Sequence, residues 1–142
     1  MLNRIRKIVA GEIPSPPVGD LIGFRLTAVD RGTAVIEIEA DERHTNPMGT
    51  MHGGVFCDIA DGAMGMAFAS TLAEDESFTT LELKINFLKP VRRGRLRAEG
   101  RVVRRGDTIG LVECDVTDEE GRLVARASST CMTLRGEKAR GR

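Results

Sequence analysis

Hydrophobic positions change their spacing along the chain, and each change marks an element. Ile5, Ile8 and Val9 recur at helical spacing and predict a short helix within residues 1–12. Pro14, Pro16 and Pro17 end it and predict a stiff extended link. From Leu21 the period becomes two. Ile22, Phe24 and Leu26 alternate with other residues, Asp30-Arg31-Gly32 turns the chain, and Ile36 and Ile38 face away from Glu37 and Glu39. This reads as a β-hairpin. Residues 41–52 are a loop with turn signals at Asn46-Pro47 and Gly49. Residues 54–73 lack alternation and are rich in Ala, Met and Leu, which predicts one helix of about five turns.

Alternation returns after Glu74-Asp75-Glu76. Thr79, Leu81, Leu83, Ile85 and Phe87 mark one face of a strand ending at Pro90. Leu96, Ala98, Gly100 and Val102 mark the next, with Arg95, Arg97, Glu99 and Arg101 opposite. Turns at Gly106-Asp107 and Asp118-Glu119-Glu120-Gly121 separate a strand carrying Val112, Cys114 and Val116 from a last strand over 122–134. The order is two strands, a helix and four strands, with tight connections that favour antiparallel pairing. One helix packed on one curved antiparallel sheet is an α+β architecture. The expected organisation is an N-terminal segment (1–20), one domain (21–134) and a polar, frayed tail (135–142).

The predicted helix is crowded with small residues, Gly54, Ala60, Gly62, Ala63, Gly65, Ala67, Ala69 and Ser70. Interior glycines each cost about 1 kcal/mol relative to alanine, so this backbone must lie close to something. A sheet wrapped around the helix meets that need. Two carboxylates interrupt the apolar run. Asp58 lies early in the helix, where the macrodipole stabilises an anion. Asp61 lies three residues further, among Ile59, Ala60, Ala63 and Met64, and is either exposed at an edge or kept for chemistry. Just upstream, His52-Gly53-Gly54 puts backbone N–H groups at a helix start, where they attract an anion or a polarised carbonyl oxygen.

Composition narrows the function classes. The 142 residues hold 21 Lys+Arg and 21 Asp+Glu, so the chain as a whole is no polycation for nucleic acid. With five Phe and no Trp or Tyr, stacking platforms for single strands are scarce. No apolar run approaches the ~18 residues of a membrane span. Cys57, Cys114 and Cys131 are odd in number and form no CxxC pair, which points to reduced, cytosolic thiols rather than disulfides or a zinc ribbon.

The segment His44-Thr45-Asn46-Pro47-Met48-Gly49-Thr50-Met51-His52-Gly53-Gly54, followed by Ile59-Ala60-Asp61, resembles the hotdog-fold thioesterase superfamily. Its nearest likeness is the phenylacetic-acid-degradation (PaaI-like) branch, related to 4-hydroxybenzoyl-CoA thioesterases. The strand Thr80–Pro90 is similar to that family's third strand, and the resemblance spans about residues 20–134. The second acid, Asp58, departs from the pattern, which has a small or apolar residue there. The resemblance implies a hotdog fold, a long helix wrapped by a curved antiparallel sheet. It implies that the Gly53 N–H polarises a thioester carbonyl, with Gly54 beside it at the substrate. Asp61 would be nucleophile or general base, Asn46 would orient water or bind the carbonyl, His52 would support that network, and Thr80 would lie near the attacking water. It implies no metal and no cofactor beyond the coenzyme A carried by the substrate. Cys57 falls outside these positions and reads as a small buried hydrophobe.

Eight cations, Lys89, Arg92, Arg93, Arg95, Arg97, Arg101, Arg104 and Arg105, accompany one acid, Glu99. Arg95–Arg101 read as a solvated strand face opposite Glu113 and Asp115. Lys89, Arg92 and Arg93, with the turn Arg104-Arg105, are better placed to meet the phosphates of coenzyme A. The expected activity is hydrolysis of an aryl or medium-chain acyl-CoA. The rivals are a thioesterase acting on an acyl carrier protein and a non-catalytic ligand-binding module. Gly53 and Asp61 are about 12 Å apart along one helix, too far to serve one carbonyl, so a homodimer is the expected active unit; the resemblance implies the same dimer and its pairing into a tetramer.

Overall fold

In the computed structural model, which describes residues 1–140, a curved sheet of six antiparallel strands, in the order β1-β2-β4-β5-β6-β3, wraps one long helix. The strands are β1 (Phe24–Asp30), β2 (Thr33–Ala40), β3 (Ser77–Phe87), β4 (Gly94–Arg105), β5 (Ile109–Asp118) and β6 (Leu123–Leu134). The helices are α1 (Leu2–Val9), α2 (Pro17–Ile22) and α3 (Gly53–Ala69). The α+β hotdog architecture read from the sequence is the one observed.

The helix α3 is enclosed because its neighbours have little or no side chain. Ile59, Ala60, Ala63, Met64, Ala67 and Phe68 are wholly buried. A Cβ on Gly100 of β4 would lie 2.4 Å from the Ala63 carbonyl oxygen, and one on Gly110 of β5 would lie 2.4 Å from the Phe68 ring. These glycines let the sheet backbone touch the helix. Buried Phe68 alone contributes roughly 1.5–3 kcal/mol of hydrophobic stabilisation.

Three expectations change. The proline link is partly helical: Pro17 sits in the first turn of α2, where its fixed φ fits, and Gly23 ends that helix at φ 93°. Leu21 and Ile22 therefore belong to α2, and β1 starts at Phe24. The long helix stops at Ala69 instead of 73. The hydroxyls of Ser70 and Thr71 donate to the carbonyls of Ala67 and Phe68, occupying acceptors that the next turn would use. The polar tail carries a short 3-10 turn over Gly136–Ala139; residues 141 and 142 lie outside the described residues.

The fourth change bears on the site. β3 carries a bulge at Leu81, between Thr80 and Glu82. Phe78 and Thr80 face α3 before it, and Leu83, Ile85 and Phe87 face it afterwards. Thr79 and Leu81 thus do not share a face with Leu83. One extra residue reverses the alternation and turns Thr80 toward the helix.

On the outer face, Arg101 pairs with Glu113 at 2.7 Å, and Arg126 pairs with Asp115 at 2.6 Å. Arg97 pairs instead with Glu99 of its own strand, so the reading of a face opposite Glu113 and Asp115 holds for Arg101 and not for Arg97. α1 and α2 pack against β1 at the sheet's other edge. Among the described residues no helix is long and apolar enough to cross a membrane.

Candidate active site

The loop leading into α3 is fastened at both ends. Buried His44 donates from Nε2 to the Ile22 carbonyl at 2.7 Å and accepts at Nδ1 from the Asp41 N–H at 3.1 Å. Its own carbonyl accepts from the His52 N–H, and the Met51 N–H donates to Val91. Between these anchors Asn46 closes a turn. Its Oδ1 accepts from the Met48 and Thr50 N–H groups, and its Nδ2 donates to the Thr50 hydroxyl at 2.9 Å. Asn46 thus shapes the loop, and one Nδ2 hydrogen remains for a ligand.

His52 caps α3. Its Nδ1 accepts from the Gly54 N–H at 2.9 Å, which fixes the ring with its proton on Nε2. The Gly54 N–H is therefore engaged. The Gly53 N–H, first in the helix, has no acceptor among the described residues. It borders a cavity of about 380 Å³ lined by Asn46, Met51, Gly53, Phe56, Phe87 and Lys89 among others. The Phe87 ring covers the helix start: a Cβ on Gly53 would lie 2.9 Å from it. Period-two alternation with Thr79, Leu81, Leu83 and Ile85 does not reveal this contact.

Asp61 projects from the exposed side of α3, and its Oδ1 accepts from the Thr80 hydroxyl at 3.1 Å. Asp58, one turn earlier, has no hydrogen-bond or ion-pair partner among the described residues. Burial, and then the charge of Asp61, pushes its carboxyl above the usual range. Cys57 is half-buried; burial, then Asp58 and Asp61, raises its thiol, so it stays protonated and a poor nucleophile.

Lys89 and Pro90 link this cavity to a second, of about 230 Å³, where Lys89, Arg92, Arg93, Arg95 and Arg122 face Asp118, Glu119 and Glu120. The cations are partly engaged. Lys89 meets Asp118 at 3.4 Å, Arg93 meets Glu42 at 3.4 Å, and Arg92 donates to the Gly49 carbonyl at 3.3 Å. Burial would raise the Asp118 carboxyl, but the backbone and guanidinium of Arg122 together with Lys89 hold it at about 2. Arg95 joins this group instead of the strand-face ladder, as its place at the start of β4 explains. Arg105 does not: its guanidinium lies 4.9 Å over the Phe68 ring and pairs with Glu76. Among the described residues no three His, Cys, Asp or Glu side chains converge as a metal set would.

The structure thus brings Gly53, Asn46 and Lys89 to one cavity and joins Asp61 to Thr80, but it keeps the two groups at different ends of β3. A helix enclosed by an antiparallel sheet, with an unengaged N–H at its start and a hydroxyl-held carboxylate along it, defines a hotdog protein equipped for acyl chemistry. The chain belongs to the thioesterase superfamily, whose model matches residues 48–125. It is 38% identical over 114 residues to SSO2140 of Saccharolobus solfataricus, which bears an esterase's name; the match covers 80% of this chain and 81% of that one. It is 28% identical over 119 residues to the 1,4-dihydroxy-2-naphthoyl-CoA hydrolase of Listeria monocytogenes, covering 84% of this chain and 97% of the relative. The crystal structure of a phenylacetic acid degradation-related protein from Ralstonia eutropha JMP134 superposes with a TM-score of 0.81 at 33% identity, covering 89% of this chain and 97% of that one. The protein is a thioester hydrolase of the PaaI-like kind.

Proposed function

We propose that the protein hydrolyses acyl-CoA thioesters bearing an aryl or medium-chain acyl group, at sites shared between two copies of the chain. The observation that carries this reading is the separation of the two functional groups along α3. Gly53 and Asp61 are eight residues apart, about 12 Å at 1.5 Å per residue, whereas reacting atoms must approach to about 3–3.5 Å. A second copy running antiparallel brings Gly53 of one helix to Asp61 of the other. β3 supports the same symmetry. It is an edge strand, and Leu81 and Phe87 along it and Leu88 just past its end are 52%, 54% and 55% exposed. Thr80 lies beside Asp61 and Phe87 beside Gly53, so pairing β3 antiparallel with its own copy crosses the two ends as the helices require.

In this arrangement the Gly53 N–H of one copy donates to the thioester carbonyl oxygen and stabilises the charge that develops there. Asp61 of the other copy, steadied by Thr80 at one oxygen, accepts a proton from water at the second. The water oxygen attacks the carbonyl carbon, the C–S bond breaks with its electron pair leaving on sulfur, and the proton held by Asp61 passes to that thiolate. The products are the free acid and coenzyme A. Thiolate is a good leaving group, so a carboxylate and an oxyanion donor suffice. His52 serves by taking the Gly54 N–H and orienting the helix start. The cluster of Lys89, Arg92 and Arg93 next to the cavity suits the nucleotide phosphates. The name of the Listeria relative, an aryl-CoA hydrolase, agrees with this substrate class.

The test is Asp61→Asn, nearly isosteric, assayed by thiol release from acyl-CoAs. Turnover should fall at least about 100-fold, the scale of a lost acid–base group. Asp58→Asn should matter much less. Near-normal turnover by Asp61→Asn would remove that residue from the reaction.

A further inference from the structure

The buried face of β6 lies directly behind Thr80. Its alternate residues Ala127, Ser129 and Cys131 stand opposite Ile85, Leu83 and Thr80 of β3. β6 alternates here without a break, whereas β3 takes three steps from Thr80 to Leu83, and the extra residue, Leu81, is turned outward. The bulge is what lets Thr80 and Leu83 face α3 together. Ser129 is wholly buried, and its hydroxyl donates to the carbonyl of Glu82, the residue that follows the bulge, at 2.9 Å. Cys131, opposite Thr80, places its Sγ 4.0 Å from the same hydroxyl. On the outer face, the Thr130 hydroxyl donates to Glu82 Oε1 at 2.8 Å. Glu82 is thus held from both sides of the sheet. Water can replace the exposed outer bond. The inner one is sealed off, and a buried hydroxyl or carbonyl that loses its partner is left unsatisfied.

Resting on the reading above that Asp61 is the reacting carboxylate, we infer that Ser129 is a positioning residue for the hydrolysis: by holding the Glu82 carbonyl it fixes the bulge, and the fixed bulge aims the Thr80 hydroxyl at Asp61. Leu83 and Ile85 are packed on the core, so when the bulge slips, Thr80 is the residue that turns away. The Thr80 hydroxyl then no longer reaches Asp61 Oδ1, which it meets at 3.1 Å. Ser129 is closed off from solvent and substrate alike, so its effect reaches the reaction through Thr80.

The experiment measures kcat and KM for benzoyl-CoA by thiol release in the full-length protein, with urea midpoints to check folding. Ser129→Ala removes the latch, Ser129→Cys keeps its size with a weaker donor, and Ser128→Ala removes a neighbouring hydroxyl from the outer face. Ser129→Ala should lower kcat by about three- to tenfold, bounded by the loss of the Thr80 hydroxyl itself, and leave KM within about twofold. Ser129→Cys should lose less, and Ser128→Ala should stay within about twofold of wild type. In a Thr80→Val background the further loss from Ser129→Ala should shrink to about twofold or less, which a general loss of stability would not do. If Ser129→Ala does not fold, Ser129→Cys is carried through the same cycle. A loss of the same size with and without the Thr80 hydroxyl, a change in KM alone, or a kcat equal to that of Ser128→Ala overturns the inference and leaves the role of Asp61 standing. Near-normal turnover by Asp61→Asn overturns that role, and the inference with it.

Discussion

Thr80→Val isolates the hydrogen bond that the β3 bulge creates. The substitution keeps the shape and the β-branched preference for a strand, and removes only the hydroxyl that donates to Asp61 Oδ1 at 3.1 Å. A hydrogen bond to a charged group contributes about 1.5–3 kcal/mol. Asp61 is exposed, so water replaces part of what is lost, and the effect falls near the lower bound. At 1.36 kcal/mol per factor of ten, kcat should drop about tenfold. KM should hold, because the hydroxyl orients the carboxylate and touches no part of coenzyme A. Thr80→Ser should recover most of the loss. The assay is thiol release from benzoyl-CoA in a double-mutant cycle with Asp61→Asn: once the carboxylate is gone, the further loss from Thr80→Val should shrink to about twofold or less. If Thr80→Val costs the same factor with and without Asp61, or acts on KM alone, the hydroxyl does not work through Asp61.

Lys89→Ala combined with Arg93→Ala should raise KM several-fold for coenzyme A thioesters and leave a short thioester without the nucleotide unchanged; equal effects on both would argue against phosphate binding at this cluster. Asp118→Asn should flatten the acid limb of stability. The native carboxyl titrates at about 2, below its ordinary value, so its contribution is complete above about pH 4 and is lost as pH falls toward 2. Urea midpoints between pH 5 and 2 should therefore fall more steeply in the wild-type protein than in the variant.

Much of this fold is legible in the sequence because period-two alternation and Gly-dominated turns are local signals. The glycine-rich α3 goes further: its small residues imply an enclosing sheet, and Gly100 and Gly110 on the strands complete that contact. What escaped was decided by packing contacts that the spacing of residue types does not show. The helix α2 forms because Pro17 suits a first turn and because Phe24 packs over Gly19, a contact that three prolines read alone do not reveal. The Leu81 bulge has no local sign, since Thr79, Leu81 and Leu83 alternate as an unbroken strand would. For the site, the spacing of His52, Gly53 and Asp61 was readable. The cap that engages the Gly54 N–H, the turn that occupies Asn46 and the stacking of Phe87 on Gly53 are three-dimensional facts. Arg105 looked like a phosphate ligand only because its partners, Phe68 and Glu76, lie far away in the chain.

If each active site draws its oxyanion donor and its carboxylate from different copies of the chain, subunit mixing reveals it. Asp61→Asn removes the carboxylate. Gly53→Pro removes the N–H at a position where the backbone accepts it: Gly53 opens α3, and His52 before it has φ -65° and ψ 137°, the extended conformation that precedes proline. Each variant alone should be nearly inactive. Refolded together at equal amounts, half the dimers contain one chain of each kind, and in these one site collects both defects while the other is intact. Activity should return to about a quarter of the wild-type value per chain. If mixed dimers, verified by two different tags, stay as inactive as either parent, both groups act within a single chain and the shared site is wrong.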